Sequence, residues 1–374
     1  MKLVEPDLDC LASYVAALRR GWTYDNPRGE DSIREDLARI EADPRAFVAS
    51  HVDREAKGPP IVLPDGSHAK RLPSFRLWMW DGEFCGAIQL RWAPGTHALP
   101  PTCLGHIGYG VVPWKRRRGY ATSALALLRP RVRREGLAYA DIVADAANAI
   151  SHKVMLANGA FAFERFRAPA SCGGADCLRL RWYAGDERPI ERDTARLRLR
   201  QWREADRAAF AALNGDREVM AHFPSALTRS QSHALHDRLR DALAHRGFGL
   251  WAVERREDAR FLGFVGLMPA PDELPFAPAV EIGWRLAREA WGAGYATEAA
   301  REALGVAFET LELPEVVAFT ASTNERSAAV MRRLGMREDR PFEHPRVAPG
   351  HRLRAHRLFR IARDDFLRAA RSSM

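Results

Sequence analysis

The sequence predicts an α/β fold made of two tandem domains, each a mixed, mostly antiparallel sheet flanked by helices. Three observations carry this. The chain has 374 residues, and domains usually take roughly 100–200 each. Helical and strand patterns alternate along it, with an early hairpin and later strand–helix–strand crossovers. The pattern is also written twice.

The repetition is visible residue by residue. Ile107-Gly108-Tyr109 and Gly119-Tyr120-Ala121-Thr122 return as Ile282-Gly283-Trp284 and Gly294-Tyr295-Ala296-Thr297, both at an offset of 175. Asn148, Ser151 and Gly159 return as Asn324, Ser327 and Gly335 at an offset of 176. Between the copies, Gly185–Thr194 is polar, holds a proline and has no apolar period, which marks a linker. The domains are placed at 1–188 and 194–374.

In the first copy, Leu8, Leu11, Val15 and Leu18 have helical spacing, and Ile33, Leu37 and Ile40 mark a second helix opened by Asp31 or Ser32. Phe75–Trp80 and Phe84–Trp92 read as strands joined at Asp81-Gly82, a hairpin turn. His106–Val112 reads as a strand stopped by Pro113, Tyr120–Glu135 as a helix and Ala138–Ala144 as a strand. Asn148–Ala157 reads as a helix closed by Asn158-Gly159, with strands at Phe161–Phe166 and Leu178–Tyr183. The second copy repeats this. Its helices are expected at Arg203–Leu213, Arg229–His245, Thr297–Leu311 and Glu325–Leu334. Its strands are expected at Gly249–Val253, Phe261–Met268, Val280–Leu286, Glu315–Thr320 and Leu353–Ile361.

Composition narrows the function classes. Hydrophobic content of 47% and charged content of 28% suit a globular protein. Apolar runs are short and broken by Arg or Glu, so no segment is expected to span a membrane. Glu5, Asp7 and Asp9 and the missing apolar core at the N-terminus speak against a signal peptide and for a cytoplasmic protein. Five scattered cysteines suit a reducing compartment, and no Cys/His set has metal-ligand spacing. The net charge is +9, but the arginines are spread along the chain, which disfavours a nucleic-acid groove. Oligomeric state is left open.

The sharpest chemical signal is a loop. In Val111-Val112-Pro113-Trp114-Lys115-Arg116-Arg117-Arg118-Gly119-Tyr120-Ala121-Thr122 a strand ends, a basic loop turns, and a glycine opens a helix. The first N–H groups of a helix have no acceptors within it, and with the helix dipole they bind phosphate. Gly119 permits close approach, and Arg116, Arg117 and Arg118 add positive potential. In the second copy, Trp291-Gly292-Ala293-Gly294-Tyr295-Ala296-Thr297 has the same construction with glycines in place of arginines. Neither loop has the Walker A or dinucleotide-binding pattern.

Arg116-x-x-Gly119-x-Ala121 after a strand resembles motif A of the GCN5-related N-acetyltransferase (GNAT) superfamily. Asn148–Gly159 and Asn324–Gly335 resemble its motif B. The resemblance covers nearly the whole chain, once per half. The second half, through Glu281-Ile-Gly-Trp-Arg-Leu and Trp291–Ala299, resembles the ribosomal-protein N-terminal acetyltransferase branch (RimJ/RimL-like). The resemblance implies acetyl-CoA as donor, with its pyrophosphate on the two loops and its pantetheine along the preceding strands. Val111 and Val112 lie on one strand; Trp284, Arg285 and Leu286 lie on the other. It also implies an amine acceptor and cofactor contact by Asn148 and Asn324, which are equally good helix N-caps. The sequence departs from the family where a tyrosine acid usually stands, at Met155 and Met331.

Amide formation needs a neutral amine and a group to take its proton. His106 and Glu281 hold the same repeat position, 175 residues apart, at the start of the pantetheine strand. Both can accept a proton, and both are taken as catalytic candidates. The alternative is that one half, more readily the first, binds a ligand without catalysis.

Overall fold

The computed structural model describes all residues except 26–27, 64, 186–189 and 373–374. The chain divides into two compact units, Met1–Gly185 and Asp186–Met374.

The first unit runs β1 (Lys2–Val4), α1 (Leu8–Arg19), α2 (Gly29–Ala42), α3 (Pro44–Ala49), β2 (Val52–Asp53) and a small hairpin of β3 (Ile61–Val62) with β4 (His68–Ala69). It continues β5 (Ser74–Trp80), β6 (Phe84–Arg91), β7 (Ile107–Val111), α4 (Tyr120–Arg134), β8 (Tyr139–Asp145), α5 (Ala149–Ala157), β9 (Phe161–Arg167) and β10 (Asp176–Tyr183). Strands β1, β5, β6 and β7 form one sheet in that order, and β8, β10 and β9 form another. Alternation along β5 and β6 splits their side chains between two cores. Leu77, Met79, Ile88 and Leu90 pack with Leu125, Leu128 and Val132 of α4. Trp78, Phe84 and Ala87 pack on the other face with Tyr14, Leu18 and Phe47. Tyr14 stacks on Trp78 with ring centroids 4.8 Å apart.

The second unit runs β11 (Arg192–Asp193), β12 (Leu197–Arg200), α6 (Asp206–Gly215), α7 (Arg229–Arg246), β13 (Leu250–Arg255), β14 (Phe261–Pro269), β15 (Val280–Leu286) and α8 (Tyr295–Gly305). It ends β16 (Glu315–Ala321), α9 (Glu325–Arg333), β17 (Arg337–Glu338), β18 (Phe342–Glu343), β19 (Ala355–Ala362) and α10 (Arg363–Ser372). One sheet takes the order β11-β12-β13-β14-β15-β16-β19-β17, with β18 also on β19. Among the described residues only β15 and β16 are parallel neighbours in it; the pairs on either side are antiparallel. Thr228 and Gln231 close a capping box on α7, satisfying two first-turn N–H groups reciprocally.

Several expectations need correction. The stretch read as a linker lies partly outside the described residues, at 186–189. From Ile190 on it is built into the second unit. Ile190 is buried, its carbonyl accepts the Trp251 indole N–H, and Arg192–Asp193 form edge strand β11. The helix expected over Thr297–Leu311 starts at Tyr295, directly after Gly294, and widens into a π-helical turn over Val306–Thr310. Helices α3 and α10 escaped the sequence reading. The first is only 6 residues long, and the second follows β19 with no intervening turn. No helix among the described residues is long and apolar enough to cross a membrane.

A candidate active site in the second unit

Strands β15 and β16 share a single pairing position, Glu281 opposite Val317. Beyond it they part, and Trp284, Arg285 and Leu286 have no sheet partner on the β16 side. A main-chain edge of this kind must find hydrogen bonds elsewhere. It borders a cleft of about 2140 Å³ lined also by Phe319, Asn324 and the loop Trp291–Thr297.

That loop leads into the N-terminus of α8. Gly292 and Gly294 have φ of +79° and +81°, a left-handed alternation that turns successive N–H groups inward. Gly294 is the N-cap of α8 and offers no side-chain acceptor, so the first-turn N–H groups stay available. Trp291, expected as a loop contact, donates its indole N–H to the Leu286 carbonyl at 2.9 Å. The guanidinium groups of Arg288 and Arg326 lie over its ring, 5.0 and 4.7 Å from the centroid. With glycines in place of arginines, this loop is expected to rest more on backbone amides than on side-chain charge. The fold adds Arg326 from α9, which spacing along the chain cannot reveal. Asn324 caps α9 by accepting the Ser327 N–H at 3.2 Å, and it also lines the cleft.

Glu281 lies at the apex where the strands part. Its Oε2 is buried without a hydrogen-bond partner, and burial pushes its pKa up to about 8, with Arg346 pulling the other way. A carboxyl group in this range is a far better match for an amine proton than an ordinary glutamate. On the same face, Gly283 and then Arg285 follow by strand alternation. A Cβ added at Gly283 would meet nothing within 4 Å, so open space stands over it.

The corresponding places in the first unit look different. The basic loop keeps the same backbone trace: Arg117 and Gly119 have φ of +63° and +75°. Arg116, Arg117 and Arg118 are exposed, and Gly119 caps α4 without a side chain. Ala121 and Thr122 sit in the first turn of that helix, and Asn148 caps α5 through the Ser151 N–H at 3.1 Å. Tyr120 instead bonds Asp81, which also holds Lys115. Val111 ends β7, and Val112 is fully buried below the loop.

His106 is 1% exposed and joins the two sheets of the first unit. Its main-chain N–H donates to the Asp141 carbonyl at 2.7 Å, and its Nδ1 accepts the Asp141 N–H at 3.0 Å. In the neutral ring the hydrogen therefore sits on Nε2, and the lone pair is already used. Burial lowers its pKa to about 4. This geometry departs from the expected proton acceptor. Above Gly108, 175 residues before Gly283, a Cβ would fall 2.6 Å from the Tyr24 hydroxyl and 3.1 Å from Arg91 Nη2. The ring of Trp22 covers Gly110.

The cleft thus brings together an unpaired strand edge, an uncapped helix N-terminus and a buried carboxyl group. The acetyltransferase (GNAT) domain family matches residues 196–337. The chain is 32% identical over 189 residues to the FsC-acetyl coenzyme A-N(2)-transacetylase of Aspergillus fumigatus, covering 48% of this chain and 80% of that one. It is 31% identical over 144 residues to the protein YkkB of Bacillus subtilis, covering 38% of this chain and 83% of that one. A solved GNAT-family acetyltransferase from Bacillus anthracis aligns with 47% of this chain and 99% of its own, at 22% identity and a TM-score of 0.41. The chain belongs to the GNAT acetyltransferases, a family that uses acetyl-CoA and acts on amines.

Proposed function

We propose that the second unit binds acetyl-CoA and transfers its acetyl group to a primary amine, of a protein N-terminus or a small molecule, by direct attack on the thioester. The carrying observation is the desolvated Glu281 carboxyl at the apex of the β15–β16 opening. In this reading the pyrophosphate rests on the loop Trp291–Thr297, with Arg326 adding charge. Trp284, Arg285 and Leu286 offer main-chain groups to the pantetheine, and Asn324 borders the same path. Glu281 takes the amine proton, directly or through water, and a strand N–H stabilises the developing oxyanion. Pre-alignment in the slot supplies much of the remaining acceleration. The run from Glu281 to Ala299 supports the RimJ/RimL-like branch, and the protein is placed in the cytoplasm.

The two domains in this reading are related copies, the second starting ahead of residue 194 so as to take in Ile190 and β11. A specific observation favours a non-catalytic first copy: Tyr24 and Trp22 occupy the room that is open over Gly283 in the second. His106, with its lone pair engaged, then serves to hold the sheets together. The anion loop of Arg116–Thr122 still suits acetyl-CoA, so this copy is a ligand-binding module.

The test is thiol release from acetyl-CoA by the full chain across amine classes, alongside calorimetric titration of coenzyme A. Amine-dependent release that Glu281→Gln depresses about 10²–10⁴-fold supports the reading. Coenzyme A binding with no transfer to any amine class overturns it.

A further inference from the structure

Arg285 is the cation this cleft does not account for. It lines the cleft, yet among the described residues no carboxylate lies within ion-pair distance of it. Among the described residues its one side-chain hydrogen bond runs from Nη1 to the Asn214 Oδ1, while Nε is buried with no partner. Its guanidinium lies over Phe223 and Phe264, 4.1 and 5.3 Å from the ring centroids. Desolvation lowers its pKa to about 10. Two aromatic faces and one amide fix the plane of the group but do not neutralise it. Leaving a guanidinium desolvated and unpaired is costly, and the cost is recovered when an anion binds there.

The surrounding strand says what shape that anion comes in. Phe264 pairs with Arg285, Gly266 with Gly283, and Met268 with Glu281, so all six share one face of the sheet. At one end stands a carboxyl group with an unpartnered oxygen, and at the other an unpaired guanidinium. The two glycines between them contribute no side chain, and the space over Gly283 is open. Four residues of strand separate the two Cα atoms by about 13 Å, and both residues line the same cleft. The room left suits a molecule of amino-acid size. A planar, singly charged group matches a single guanidinium flanked by apolar rings.

We propose that Arg285 anchors a carboxylate of the acceptor, so that the substrates are amines that also carry a carboxylate, with the amine toward Glu281 and the carboxylate toward Arg285. This rests on the reading of the cleft as a transferase site, and it narrows the acceptor to amino acids and short molecules built on them. Asn214 is a positioning residue that holds the guanidinium in plane.

The test uses the full chain loaded with coenzyme A. Calorimetry measures binding of the N-acetyl derivatives of the standard amino acids and of their uncharged carboxamides. Thiol release from acetyl-CoA is followed with the free amino acids and the amino-acid amides. The best-binding acids are expected to exceed their carboxamides by about 10-fold or more. Arg285→Gln is expected to abolish that difference while coenzyme A affinity stays unchanged. Asn214→Asp, which supplies an internal carboxylate to Arg285, is expected to do the same in a chain with its guanidinium intact. Equal binding of acid and carboxamide, no binding of any acid, or a preference that survives Arg285→Gln overturns the proposal. Efficient transfer to amines lacking a carboxylate also overturns it while leaving the transferase reading intact. An Arg285-dependent acid preference without any thiol release supports it and overturns the transferase reading instead.

Discussion

Glu281 and Arg285 stand on one face of β15, on either side of Gly283, and neither enters an ion pair among the described residues. A carboxyl group and a guanidinium in one cleft are thus held apart rather than spent on each other. Their consequences for catalysis and for stability can be measured separately.

Glu281→Gln keeps size and removes the proton acceptor. The transfer rate is expected to fall about 10²–10⁴-fold. In the parent protein kcat/KM should rise with pH through a limb near 8, where the carboxyl group ionises. That limb should vanish in the variant, leaving only the acceptor amine's own ionisation. A variant that retains turnover and the limb would assign the proton to water.

The same substitution has a signature in stability. Glu281 ionises near 4.5 in an unfolded chain and near 8 in the fold. Between those values the folded state holds a proton that the unfolded state has released, so stability falls as pH rises across this window. Glu281→Gln should melt like the parent near pH 4 and above it at pH 9. The gain is on the order of 1–3 kcal/mol once cleft water is allowed for. Thermal midpoints at both pH values check the sign.

Arg117 and Gly292 adopt the same left-handed backbone, at φ of +63° and +79°. Only glycine does so without strain. Arg117→Gly should therefore stabilise the chain by about 1 kcal/mol, offset in part by a more flexible unfolded state. Gly292→Ala should destabilise it by about 1–2 kcal/mol without a clash, because a Cβ there meets nothing within 4 Å. It should also weaken coenzyme A binding. Denaturant midpoints and calorimetry on the two variants test both directions.

The proposed reading, with two anion loops and one open acceptor space, sets an expectation for stoichiometry. Coenzyme A should bind at two sites, and Gly294→Asp should leave one of them while removing turnover. A carboxylate placed at the helix N-terminus repels the pyrophosphate directly. Turnover surviving in Gly294→Asp would move catalysis to the first unit.

Much of this architecture is legible in the chain itself. Strand alternation, the Asp81-Gly82 turn, the Asn148 and Asn324 caps and the glycines ending each loop are local signals, and the structure holds all of them. What is missing from a linear reading is what comes from across the fold. Nothing near Arg285 in sequence announces Asn214, 71 positions earlier, or the two rings beneath its guanidinium. The alternation of Glu281, Gly283 and Arg285 on one face was available, and it would have separated Arg285's side chain from a purely main-chain role. His106 looks like a base by composition and position. Only the contact with Asp141, 35 residues later, shows its lone pair already engaged.

The parting of β15 from β16 has a consequence beyond chemistry. The sheet of the second unit is continuous only through Glu281 and Val317, and past that point one strand's worth of hydrogen bonding is left for something else to complete. An extended molecule with amide groups, lying in that gap, would act as a removable strand. The enzyme's rigidity would then follow the supply of its own donor, since a ligand bound only to the folded chain stabilises it by mass action, about 2.7 kcal/mol at a hundredfold excess over Kd. Scarcity of the donor would loosen the protein as well as idle it.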